Sequence, residues 1–304
     1  MTARLEVLVV GPPARKSAVT PRQRLEGFLA LTKPRITFLV VLTTLVGFLV
    51  GARRPLAFDL LWNTLIGTGL VAGGAAALNQ LMERRADAKM KRTALRPLPT
   101  RRMEPFEAAI FGFGIAALGI AHLALAVNLL AGVLAAVTLL SYLLLYTPLK
   151  RVTSLATVVG AVPGAIPPMI GWAAARGALH TEAWVLFVIV FLWQMPHFLA
   201  LAQLYRTDYA RAGFRMLTVE DATGASAGRQ AVLYAAALLP VSLLPTVLGA
   251  TGAVYFAGAL MIGVYFLVAS VRMAARPAGP AAARGLFRAS LVYLPAICLL
   301  LVFG

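Results

Sequence analysis

Nine stretches of mostly apolar residues run through the chain, at 35–53, 58–81, 105–126, 128–147, 153–174, 181–203, 228–248, 250–271 and 285–303. Each is about 20 residues long, enough to carry a helix across the hydrocarbon core of a bilayer. Lipid offers the backbone no hydrogen-bond partners, so the pattern predicts an all-α polytopic membrane protein. Two polar connections are long, 82–104 and 204–227, and both fall on one side of the membrane. Each follows a helix that ends in polar or acidic groups, a weak internal duplication that would let the two loops close over one cavity. No connection leaves room for a soluble module, so residues 25–304 read as a single transmembrane domain. Ahead of it, 1–24 reads as an N-terminal tail, disordered above all over 1–19. Thr20-Pro21 nevertheless has the chemistry of a helix start. A helix there would turn Leu25, Phe28 and Leu29 to lipid and Arg22 and Arg24 to water.

The fifth span differs from the rest in holding Gly160, Pro163, Gly164, Pro167, Pro168 and Gly171. Prolines free carbonyls that a neighbouring helix or a cavity must satisfy. Two readings fit: a kinked wall beside a bound substrate, or close packing through small residues.

Composition agrees with the spans. Of 304 residues, 60% are hydrophobic and only 13% charged, with a mean hydropathy of +0.83. A net charge of +17 would suggest nucleic acid in a soluble protein. Here every Lys and Arg except Arg53, Arg54 and Arg176 lies in the N-terminal segment or in connections that share its side. That bias places the N-terminus inside and the C-terminus outside. The charge therefore serves topology and attraction to anionic lipid. Cys298 stands alone, which excludes an intramolecular disulfide or a cysteine metal cluster. No cleavable signal peptide is expected, since Leu8-Val9-Val10 is short and ends at Gly11-Pro12-Pro13.

A charge deep in a bilayer costs about 2.5–3.5 kcal/mol on insertion scales, so the placement of charges is informative. Nearly all of them sit at inside ends of spans, which puts any chemistry near the cytoplasmic interface with apolar space behind it. A lipid-tailed diphosphate suits that layout. Transporters of polar solutes more often keep charges near the midplane. At the end of the second span, Asn79, Glu83 and Asp87 fall at i, i+4 and i+8, on one helical face. Oxygen ligands on one face suit a hard cation such as Mg²⁺, and guanidinium groups just beyond suit a phosphate. The stretch equally fits a solvated loop obeying the positive-inside rule. Lys150-Arg151 after the fourth span and Lys33-Pro34-Arg35 before the first anchor a helix or complete a phosphate clamp with Arg92 and Arg96. His197, beside Trp193 and Gln194 in the sixth span, is a haem ligand, a proton carrier or an interhelical hydrogen-bond partner. His122 and His180 lie toward the outer side and carry no assigned role.

In combination these segments resemble the UbiA-type intramembrane prenyltransferases and, within that superfamily, its haem-farnesylating branch. The resemblance covers nearly the whole chain after about residue 25. Its marks are Leu31-Thr-Lys33-Pro34-Arg35-Ile36, then Asn79, Glu83 and Asp87 followed by Met90-Lys-Arg92-Thr93 and Arg96-Pro97-Leu98. Tyr146-Thr-Pro-Leu-Lys150-Arg151, Phe191-Leu-Trp193-Gln-Met-Pro196-His197-Phe198 and Asp208-Tyr209 with Gly213 and Met216-Leu217 complete the set. One such motif is weak evidence; five in order, at consistent membrane positions, are strong.

The resemblance implies nine helices around a central cavity, with Asn79, Glu83 and Asp87 holding Mg²⁺ and diphosphate. Glu83 replaces the usual aspartate of that motif. Where the superfamily has a second pair of aspartates, this chain has Tyr205 and Tyr209, with Asp208 the only carboxylate. The implied catalytic residues are thus Asn79, Glu83, Asp87, Asp208 and Tyr209. Lys33, Arg35, Arg92, Arg96, Lys150 and Arg151 are implied to bind diphosphate, and His197 and Trp193 to meet haem. The implied donor is farnesyl diphosphate, the acceptor haem b, the product haem O, and a haem A synthase follows downstream, all in the bacterial inner membrane. Loss of diphosphate leaves an allylic cation, a haem vinyl group attacks it, and water quenches the result. The site must exclude stray water until then, and ring faces of Tyr146, Tyr205 or Tyr209 suit a cation. The alternatives are a superfamily member acting on a quinone precursor or chlorophyllide, and a lipid or solute transporter.

Overall fold

The computed structural model describes residues 20–52, 55–221, 223–276 and 279–304. Among them all regular structure is helical, and nine helices are long and apolar enough to span a membrane. Residues 1–19, and with them most of the expected tail, lie outside the described residues, as do Arg53 and Arg54.

Helix α1 (Pro21–Leu31) opens on a capping box between Thr20 and Gln23, with proline in the first turn. It therefore starts inside the segment read as tail. Leu25 and Leu29 are exposed, as expected, but Phe28 does not face lipid alone. Its ring lies 4.9 Å from that of Phe111, and Leu31 is fully buried, because α1 lies against α3 and α4. Arg24 meets Glu107 rather than water only.

Lys33, with φ +47, turns the chain into the first span, α2 (Pro34–Gly51). The second, α3 (Phe58–Asp87), runs past its apolar stretch because its last two turns keep a buried face. Thr93 Oγ1 then donates to the Asp87 carbonyl and closes its end. The third span, α4 (Pro105–Ala126), starts at a capping box of Glu104 and Glu107. The fourth begins as α5 (Leu129–Leu140), capped by the Asn128 side chain, and passes through a π-turn, Ser141–Tyr146, into α6 (Thr147–Leu149).

The fifth span is two helices, α7 (Ala156–Ala165) and α8 (Pro167–Arg176), broken at Ile166 where two prolines supply no N–H. Then come α9 (Thr181–Leu204), with the short α10 (Arg206–Ala212) and α11 (Leu217–Glu220) in the second long polar connection. The seventh span joins α12 (Ala225–Val241) to α13 (Leu244–Val247), and α14 (Ala253–Ala275) and α15 (Pro280–Phe303) finish the bundle. One core cluster binds α9, α12, α14 and α15, a second binds α3, α4, α5 and α8, and α2 touches both α3 and α15.

The broken fifth span is the most enclosed, with 72% of its apolar window buried against 22% for the fourth. Small residues explain that position directly. A Cβ on Gly171 would overlap the Thr44 carbonyl, and one on Gly47 the Pro168 carbonyl, so α2 and α8 meet backbone to backbone. Gly171→Ala should therefore lower stability by about 1–3 kcal/mol, the range for overpacked cores. Gly114→Ala, whose Cβ meets nothing within 4 Å, should leave the melting temperature of detergent-purified protein unchanged; equal effects would refute the packing argument.

Candidate functional site

The acidic face of α3 is buried: Asn79 is 1% exposed, Glu83 6% and Asp87 1%. Each of the three is met by a cation from a different segment. Lys33 Nζ donates to Asn79 Oδ1 at 2.9 Å. Lys150 Nζ pairs with Glu83 Oε1 at 2.8 Å, and Arg96 Nη1 with Asp87 Oδ2 at 2.8 Å. The left-handed turn at Lys33 is a conformation that non-glycine residues rarely adopt, and such strain is typical of functional sites. It is held from behind, where Gln80 Nε2 donates to the Leu31 carbonyl at 2.7 Å. Burial pushes the Lys33 ammonium down to about 7, helped by the charges of Arg96 and Lys150 and opposed by Glu83 and Asp87. A bound anion would restore its charge.

Lys150 is a buried lysine with its ammonium 4.1 Å from the centre of the Tyr146 ring and 5.9 Å from that of Phe214. Its backbone carbonyl accepts from Arg215 N at 2.7 Å, which ties the second long connection to the end of the fourth span. That loop also meets the first one. Ala86 and Met90 pack with Ala212, Phe214 and Met216 in one apolar cluster, so the two long connections come together beside the end of α3.

The remaining candidates are placed differently. Arg92 lies over the Tyr205 ring at 5.0 Å, at the edge of the site. Asp208 is buried and reaches Arg211 at 3.7 Å. The Tyr209 ring packs tilted against Phe214, and burial raises its hydroxyl pKa against the pull of Arg92 and Lys150. Arg35 and Arg151 are exposed and are not among the cations that meet the face. His197 Nδ1 lies 2.7 Å from Ser290 Oγ on α15, and its ring stacks on Trp193 with centroids 5.2 Å apart. Trp193 Nε1 donates to the Ser290 carbonyl at 2.9 Å. His197 therefore makes the interhelical contact that was one of its readings, and Trp193, expected to meet haem, makes one to the same residue. Thr147 went unrecognised as a site residue: Asn79 Nδ2 donates to its hydroxyl oxygen at 3.3 Å. Its one signal is its place inside Tyr146-Thr147-Pro148.

The donor set fits a divalent cation. Asp87 Oδ1 is buried with no hydrogen-bond partner, an acceptor left open on a face of oxygens. Among the described residues no cluster of three acidic, histidine or cysteine side chains forms, so the set depends on the Asn79 amide for its third oxygen.

Residues 40–292 match the UbiA prenyltransferase family. The chain belongs to that family. Among its UbiA relatives, the protoheme IX farnesyltransferase of Solibacter usitatus is 50% identical over 279 residues, spanning 89% of this chain and 95% of that one. A structure of digeranylgeranylglyceryl phosphate synthase superposes with a TM-score of 0.78 at 16% identity, covering 93% of this chain and 98% of the other. A UbiA homolog from Archaeoglobus fulgidus, solved bound to DMAPP and Mg²⁺, does so with a TM-score of 0.68 at 15% identity, over 91% and 100%. At such identities these two likenesses are of fold.

Proposed function

We infer that this UbiA-family prenyltransferase transfers the farnesyl group of farnesyl diphosphate to a vinyl group of haem b. Water adds at the same step, giving haem O and diphosphate for the haem A branch of cytochrome oxidase biosynthesis. This reading rests on one observation above all. A buried row of oxygens, each faced by a cation, lies at one end of a bundle whose half-identical relative is a protoheme IX farnesyltransferase. That relative disfavours a quinone precursor as acceptor. Charges gathered at one end, rather than at midplane, disfavour transport.

Asn79, Glu83 and Asp87 would hold Mg²⁺, which when bound neutralises charge on the diphosphate oxygens. Lys33, Lys150 and Arg96 stand within reach of the same face and stabilise the charge that grows on the leaving diphosphate. An opposite charge at 4 Å near a surface is worth about 4 kcal/mol, so three of them lower the barrier substantially. The rings of Tyr146 and Tyr209 flank this end and offer π faces to the allylic cation. Met90, Phe214 and Met216 pack the two long connections together near this end, an apolar cover that would keep stray water from the allylic cation. The vinyl π electrons form the new C–C bond, a water oxygen bonds to the haem-side cation, and one proton is released. We place the N-terminus in the cytoplasm and the protein in a bacterial inner membrane, with a haem A synthase as consumer of the product.

Mass spectrometry of haem after incubation of purified protein with haem b, farnesyl diphosphate and Mg²⁺ tests the reading. The expected product is heavier by one farnesyl group and one hydroxyl; unmodified haem from folded protein would reject it. His197→Ala is expected to weaken haem retention more than His122→Ala. Matching, negligible losses would leave His197 with its Ser290 contact alone.

A further inference from the structure

Thr147 stands where the fourth span changes register. In the π-turn its backbone N–H donates to the Tyr142 carbonyl, one residue further back than in an α-helix. The same carbonyl takes the proton of its side chain, with Thr147 Oγ1 2.8 Å away. A threonine hydroxyl has one proton, so once it is committed to Tyr142 the oxygen can only accept. What it accepts is Asn79 Nδ2–H, at 3.3 Å and fully buried. On the other side of the same amide stands Lys33, which when charged has donors only and bonds Asn79 Oδ1 at 2.9 Å. The two ends of the amide are thus assigned by two independent partners, and they agree. Asn79 Oδ1 keeps a second lone pair, on the helix that also carries Glu83 and the unpartnered Asp87 Oδ1.

We propose that Thr147, through the π-turn that aims its hydroxyl, is a positioning residue that fixes the Asn79 amide with its oxygen toward the divalent-cation face. The proposal rests on the reading of Asn79, Glu83 and Asp87 as that face. Without the hydroxyl a buried N–H loses its acceptor, and the amide is free to rotate away from the ligand position. Partners that orient a metal ligand typically account for 10–100-fold in metal affinity. The geometry also explains the position of Gly160, where a Cβ would overlap the Tyr146 ring. Its absence lets α7 press the π-turn into place.

The test is Mn²⁺ affinity, read by electron paramagnetic resonance on the full-length protein with an unreactive thio analogue of farnesyl diphosphate. Thr147→Val, nearly the same shape without the oxygen, should weaken Mn²⁺ by 10–100-fold, and Thr147→Ser should restore it to within about threefold. Thr147→Cys, a weak hydrogen-bonding group of similar bulk, should fall between them and serves if the valine variant does not accumulate. Wild-type Mn²⁺ affinity in Thr147→Val overturns the proposal, as does equal loss in the serine and valine variants. Asn79→Ala separates the two levels. If it leaves Mn²⁺ affinity unchanged, the metal-face reading itself fails, and with it the role given to Thr147.

Discussion

Asp87→Ala should reduce kcat for farnesyl transfer by at least about 10³-fold, equivalent to roughly 4 kcal/mol of lost transition-state stabilisation. The carboxylate is almost wholly buried, one oxygen is paired with Arg96 and the other has no hydrogen-bond partner. Removing it takes away the open acceptor that a cation needs. The fold should tolerate the change, because the Arg96 side chain is 23% exposed and can turn to water once released. Activity and melting temperature measured on the same purified sample decide the matter. A variant that folds and retains a tenth or more of wild-type turnover would remove Asp87 from the chemistry.

Lys150→Met should cost both activity and stability, and a second substitution should separate the two. Lys150 and Glu83 form a buried pair, with their side chains 9% and 8% exposed. Deleting one member leaves an uncompensated buried charge, a loss of about 3–5 kcal/mol. Adding Glu83→Gln removes that charge, so the double variant should recover most of the lost stability. It should stay at least about 100-fold less active, since both the cation proposed to meet diphosphate and the carboxylate proposed to hold the metal are gone. Thermal unfolding and farnesyl diphosphate consumption of the three variants complete the cycle. Additive stability losses would show that the two groups do not act as a pair, and activity returning with stability would show that the pair only supports the fold.

Much of this protein was legible in the order of its residues. Membrane spans are set by the length of apolar runs, and the third falls on Pro105–Ala126 as expected. The shared face of Asn79, Glu83 and Asp87 follows from helical period, since α3 continues unbroken through all three. What remained open were pairings. The π-turn at Ser141–Tyr146 has no periodic signature, so nothing local announced that Thr147 would aim at Asn79. His197 sits in a distinctive tract, yet its Ser290 partner lies 93 residues away. Phe28 reads as lipid-facing on α1 alone and packs inward only because α4 brings Phe111 to it.

The sequence by itself determined the class of the protein, its nine spans, the bias that orients them and the helix that bears the acidic face. Those properties depend on hydrophobic length, charge placement and a 3.6-residue period, all readable within one segment. Only the tertiary structure decided which cations answer that face. Lys33, Lys150 and Thr147 reach α3 across separations of 46, 67 and 68 residues. It also sorted Arg96 from Arg151 and packed the two long connections together through Met90, Phe214 and Met216. Such contacts depend on how helices pack and where the connecting loops settle, and the local pattern along a single chain segment does not encode them.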